Sequence, residues 1–187
     1  MLNAQDFLAQ WDNFFILVGT GSATLAGLVF VALTINLRVV ARDATHRFRA
    51  INMLTGFTSV FLISALALIG RQPSFWLGLE WLVVAIAATA INTNGYVQAF
   101  RLHSSLYALN RFRVIGGTVC YVGQIVGSAM LMLGVPAGIY VAAISLIANF
   151  VFLVSGSWLL ILGTLYTSEA PTSATSTSDT TANEERN

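Results

Sequence analysis

The chain has 187 residues, of which 56% are hydrophobic and 9% charged, with a formal net charge of +1. Soluble domains average about 25% charged residues, so this composition excludes an ordinary water-facing surface and selects the bilayer as solvent. All nine basic residues are arginine, and the lone cysteine, Cys120, excludes an internal disulfide and cannot by itself build a metal cluster.

Residues 1–13, "MLNAQDFLAQWDN", carry Asp6 and Asp12 and no basic residue. The apolar run behind them, 14–37, exceeds a signal-peptide core, so it is expected to be a retained helix. Within it, "VGTGSATLAGLVF" (18–30) imitates a glycine-rich phosphate loop. Such a loop needs a preceding strand, a helix start and access to water, and a membrane-spanning run supplies none of these. Gly19, Ala23 and Gly27 instead recur every four residues, a small-residue stripe predicted to let a helix of this or another chain approach closely. Thr20 and Thr24 flank it and can bond back to the preceding turn.

The first connection, "RVVARDATHRFR", holds Arg38, Arg42, Arg47 and Arg49. A second span is expected over 50–69 and a third over 75–100, with Pro73 between them and Glu80 near the start of the third. "NTNGYVQ" gives that third span a polar cluster containing Asn92, Thr93, Asn94 and Gln98, at a level comparable to Asn52, Thr55 and Thr58. These groups are expected to face protein or water, as a hydrogen-bond network or a cytoplasmic vestibule. The next connection holds Arg101, Arg111 and Arg113, and the fourth and fifth spans, 114–135 and 137–165, meet at Pro136. "HRFRAI" and "NRFRVI", 64 residues apart, open the second and fourth spans and raise the question of two duplicated hairpins.

Gln124 and Asn149 lie at equal distances from the turn at 136–137, so they are expected at similar depth on adjacent helices, bonded across the seam. Gly116, Cys120, Gln124 and Ser128 share one face; Gly138, Ala142, Ser145 and Asn149 begin a matching stripe. The structural reading is packing glue; the functional alternative is the neutral lining of a conduit. Residues 167–187, rich in Ser and Thr, cannot repay the entropy of ordering and are expected to form a disordered tail.

The fold class expected is all-α, a five-span transmembrane bundle. Arginines concentrate in the odd connections, which predicts those loops and the C-terminus in the cytoplasm and the N-terminus outside. Trp11, Trp76 and Trp81 suit the outer interface and Trp158 the inner one. The loop arginines (Arg38, Arg42, Arg47, Arg49, Arg101, Arg111, Arg113) are candidates for headgroup contact. No charged residue falls centrally in a span, and intramembrane serines lack a histidine or lysine base. The expectation is therefore a protein that is not an enzyme, with no catalytic residue, metal or cofactor, and with no nucleotide or nucleic acid among its partners. Its expected partners are the lipid bilayer and another membrane protein or a second copy of itself.

"WDNFF" followed by "GTGSATLAGLVFVALTINL" and a basic loop resembles a group of small bacterial membrane proteins, some labelled modulators of the FtsH membrane protease. The resemblance implies a bacterial plasma-membrane protein acting through partners. Two functions follow from the residues and this likeness together: a non-enzymatic accessory or regulatory protein working through helix contacts, or an oligomeric channel or transporter lined by neutral polar stripes.

Overall fold

The computed structural model describes residues 11–35, 37, 44–69, 72–102 and 107–168. These form α1 (Asp12–Ile35), α2 (Ala44–Ala67), α3 (Ser74–Leu102), α4 (Tyr107–Met132) and α5 (Ala137–Ser168), with no strand among the described residues. Each helix contains a stretch long and apolar enough to cross a membrane: Asp12–Ile35, Ala50–Ala67, Ser74–Asn94, Ile115–Met132 and Ala137–Trp158. The chain therefore has the build of a multi-pass membrane protein. Helices α2 and α4 begin six and seven residues before their expected spans, at Ala44 and Tyr107. Neither stretch contains glycine or proline before the apolar run, so backbone hydrogen bonding continues unbroken through the arginine-bearing turns. Helix α5 runs to Ser168, so the first two residues of the tail expected over 167–187 are helical, and the remainder lies outside the described residues.

The α4–α5 turn sets the register of the bundle. Gly134 adopts a left-handed φ of 75°, the Val135 amide donates to the Met130 carbonyl (2.9 Å) and the Gly134 amide to Leu131 (3.0 Å). These paired bonds satisfy carbonyls that the ending helix leaves open. Pro136 then precedes α5, where its missing N–H costs nothing. The two helices fold back with almost no backbone clearance. A Cβ added to Gly127 would lie 2.6 Å from the Ala142 nitrogen, and one on Gly138 would lie 2.7 Å from the Gly127 carbonyl oxygen. Gly123 similarly faces Ser145. Across the other side of α4, a Cβ on Gly78 of α3 would meet the Ser128 oxygen at 2.7 Å. In lipid, where burying apolar surface gains little, such close backbone approach is a main source of helix–helix attraction.

Helices α2 to α5 close a ring in chain order, each packed on the next and α5 returning to α2. Helix α1 lies outside this ring, mainly against α2 and along one edge of α5. It is the least enclosed, with 22% of its apolar window buried against 44% for α2 and α5. The core comprises Phe57, Val60, Ile63, Leu77, Trp81, Leu131, Ile139, Leu146 and Leu153 from the ring and Phe15 and Val29 from α1. Near the start of α1, aromatic contacts fasten it: Trp11 meets Tyr140 of α5 edge-on at 4.9 Å, and Phe15 meets Trp81 of α3 at 5.4 Å. Trp81 is fully buried; it is a core residue, not the interfacial one expected. It shares the inner face of α3 with Leu77, Ala85 and Ala88, at three- and four-residue spacing, and that packing overrides its polar edge.

The repeat at 64 residues is matched in one arm only. Buried Met53, Phe57, Val60 and Ser64 of α2 map onto buried Gly117, Tyr121, Gln124 and Ser128 of α4. Buried Gly19, Ser22 and Val29 of α1 map onto exposed Val83, Ile86 and Thr93 of α3. The second arms of the two hairpins turn corresponding faces inward, whereas α1 and α3 present different ones.

Candidate functional site

Two regions carry the sequence-predicted site residues: the outward face of α1 and the polar centre of the ring. On α1 the inner face consists of Phe15, Gly19, Ser22 and Val29. A Cβ on Gly19 would sit 2.9 Å from the Ser64 Cβ, so α2 rests there on bare backbone. One turn on, the Ser22 hydroxyl donates to the Phe57 carbonyl at 2.6 Å, a buried bond linking two helices. The rest of the small-residue stripe departs from this face. Ala23 is exposed, and an added Cβ on Gly27 would meet nothing within 4 Å. Of the expected stripe, Gly19 alone packs against another of the described helices. The reason is geometric. Each four-residue step overshoots a 3.6-residue turn, so residues 19, 23 and 27 rotate by roughly 80° around the helix. Thr20 and Thr24 accompany the exposed part, and the Thr24 hydroxyl is spent on the Thr20 carbonyl (2.9 Å).

The centre of the ring holds Gln124 and Asn149, 1% and 2% exposed. The hydrogen bond expected between them is absent, because neither the Gln124 Nε2 nor the Asn149 Nδ2 has a partner. Register explains this. Gly123 faces Ser145, Gly127 faces Ala142 and Gly116 faces Phe152. Carried along both helices, that register sets Gln124 level with Ser145, and Asn149 level with Cys120. The two amides are staggered by one helical turn, about 6 Å. Counting from the turn at 136–137 missed this because α4 ends at Met132, before the residues that form the turn.

The other intramembrane polar residues divide by chemistry. Hydroxyls satisfy themselves on their own helices: Ser145 on Val141 (2.8 Å), Ser128 on Gln124 (2.8 Å), Thr89 on Ala85 (2.6 Å) and Ser59 on Gly56 (2.7 Å). Unpaired donors remain on the two amides, on the Trp81 indole and on the Ser64 hydroxyl. An unsatisfied buried donor costs on the order of 1–3 kcal/mol in protein interiors, and hydrocarbon offers no water to relieve it. The "NTNGYVQ" cluster is split by the helix: of the three residues 92–94, Asn92 is buried whereas Thr93 and Asn94 are exposed, and the Gln98 side chain lies outside the described residues. Asn52 and Thr55 are half-buried and Thr58 is exposed. Among the described residues, no group of three His, Cys, Asp or Glu side chains is placed to hold a metal.

Of the candidate headgroup arginines, Arg47 is exposed, its guanidinium 5.6 Å from the Phe48 ring. Arg49, Arg101, Arg111 and Arg113 have helical backbones, but their side chains lie outside the described residues, as do Arg38 and Arg42 altogether. The features that sequence reasoning missed are the Ser22–Phe57 bond, the Gly78 contact and the central place of Trp81. Alternation by three and four among Phe15, Gly19, Ser22 and Val29 was a readable signal for the first. The partners of Gly78 and Trp81 come from helix packing and leave no local signature.

Comparison of the chain with protein-family models, with curated proteins and with solved structures finds no match.

Proposed function

We propose that the protein is an accessory or regulatory component of a bacterial plasma membrane, acting without catalytic chemistry by docking a transmembrane helix of another membrane protein onto α1. The observation that carries this reading is the outward face of α1, where Thr20, Ala23, Thr24 and Gly27 form a shallow strip that none of the described helices covers. Larger side chains, Leu17, Leu28 and Val31, are exposed beside the strip. Small residues between larger ones give an incoming helix a groove for close backbone approach. The likeness of this segment to the bacterial proteins labelled FtsH modulators points the same way.

The proposed orientation places the N-terminus outside. Gly19 approaches Ser64 while Ser22 bonds to Phe57, so α1 and α2 run antiparallel. The Phe15–Trp81 contact joins the starts of α1 and α3. Both arginine-rich connections then leave the bundle at one end, the arrangement the positive-inside rule assigns to the cytoplasm. The oligomeric conduit draws no support from the same geometry: of the stripes that would line it, Cys120, Gln124 and Ser128 on α4 and Gly138, Ala142 and Asn149 on α5 are buried within one chain.

A photoreactive residue at position 23 or 27 of the full-length protein in its native membrane tests the reading. Position 119, on a face equally turned to lipid, serves as control. A discrete protein adduct from 23 and 27, absent at 119 and lost on crowding the strip with Thr20→Leu, is the expected result. Lipid adducts alone at all three positions would overturn it, and an adduct to a second copy would replace the accessory role with self-association.

A further inference from the structure

We infer that the centre of the α2–α5 ring is an enclosed hydration site, in which at least one water molecule bridges the Gln124 Nε2 and the Asn149 Nδ2 within the membrane-spanning part of the bundle. Three observations carry this. Both amides are almost completely buried, and both lack a partner for the same kind of atom, an N–H donor. A third buried donor without a partner, the Trp81 Nε1, belongs to the same inner surface of the ring. What these atoms require is a hydrogen-bond acceptor, and among the described residues no protein oxygen, the Ser128 and Ser145 hydroxyls included, stands in hydrogen-bond geometry to any of the three.

No direct bond joins the two amides, since neither nitrogen has a partner, and the α4–α5 glycine contacts offset their backbone positions by about one turn. A single N–H···O bond spans about 3 Å, whereas two bonds through one water oxygen reach across about 5–6 Å. Side-chain directions agree. On α4, Gly123 and Gly127 face α5 while Ser128 and Met132 border Gly78 of α3; Gln124 falls between these two directions and so points to the ring interior. On α5, Asn149 falls between Ala142 and Ser145, which face α4, and Leu153, which faces Gly56 of α2. The Gly78 contacts set Ala85 of α3 level with Gln124, and Ala88 one turn further on level with Cys120. The α3 wall there is built from two buried methyl groups, the smallest side chains that still seal it. A neutral acceptor fits this surrounding better than an anion, since no arginine or lysine lies in the apolar stretches of these helices. Water accepts from both amides and keeps two protons to donate, which meets the two to four partners a buried water needs.

The test uses the full-length protein in lipid bicelles with labelled Gln and Asn side chains. Gln124→Leu and Asn149→Leu spectra assign the two NH2 pairs. In the parent, both pairs are expected to show magnetisation transfer from water, while the lipid-facing Val119 and Ile144 amides show transfer only from acyl chains. Transfer from protein protons alone, with none from water, would overturn the inference, whether the amides then proved dry or bonded to each other. Reversible unfolding supplies the second arm. If water joins the amides, each single Leu variant raises the unfolding constant about 3- to 15-fold and the double variant raises it by less than the product of the two. Additive stabilisation by both Leu variants would show two dry, independent donors and would also overturn it. Because the magnetisation-transfer result is read on the parent protein, it stands even where a variant fails to fold.

Discussion

The outward face of α1 and the seam between α4 and α5 are written in the same residues and have opposite surroundings. Gly19, Ala23 and Gly27 repeat every four positions, and so do Gly123 and Gly127. On α4 these glycines face the backbone and short side chains of α5, with clearance too small for a single added carbon at Gly127. On α1 the same spacing begins against α2 at Gly19 and ends in the open at Gly27. A small-residue repeat therefore reports the capacity for close approach and not its use. What decides its use is how the helix is held: α4 and α5 are joined by a turn of four residues, Leu133 to Pro136, while α1 rests on one side only.

Substitutions at the glycines can break this comparison. Gly127→Leu should be the most damaging, since its Cβ would overlap the backbone nitrogen and Cα of Ala142, neither of which can turn aside. A loss of about 3 kcal/mol or more is expected in reversible unfolding in bicelles, and a variant as stable as the parent would refute the seam described. Gly19→Leu comes next, at roughly 1–3 kcal/mol, because its obstacle is the side chain of Ser64 and α1 can shift outward. Ser22→Ala removes one interhelical hydrogen bond and should cost about 0.6–1.7 kcal/mol by the same measurement; no change would mean that the Phe57 carbonyl gains nothing from its second donor. Gly27→Leu should leave stability within about 0.5 kcal/mol, yet abolish partner crosslinking through α1. A large loss of stability there, with the chain isolated in bicelles, would show that the open strip is covered by the chain itself.

The spans were legible because lipid permits few solutions. Runs of about 20 apolar residues, separated by Pro73, Pro136 and arginine clusters, leave the backbone only the choice of helix. Faces were partly legible. Cys120, Gln124 and Ser128 were grouped correctly, and all three are buried. Spacing by four did not tell which part of the stripe meets a helix of this chain: Gly19 does and Gly27 does not, because a stripe of that period winds around the helix and the sequence does not say where its neighbour stops. Depth failed at Gln124 and Asn149 for a different reason. Counting from Pro136 treats the turn as a point, whereas residues Leu133 to Pro136 lie between the helices and displace the register.

The amino-acid sequence alone determined that this protein is helical, how often it can cross a membrane, and that no charged residue falls centrally in a span. Those properties follow from composition and run length, which act locally and need no partner. The tertiary structure decided which polar atoms are satisfied. The hydroxyls of Ser59, Thr89, Ser128 and Ser145 found acceptors within their own helices, as their short side chains allow, whereas Ser22 reaches the Phe57 carbonyl of α2. The amides of Gln124 and Asn149 and the indole of Trp81 depend on what lies across the bundle, which only register and ring closure settle. The same closure turned one glycine stripe inward and left another at the surface.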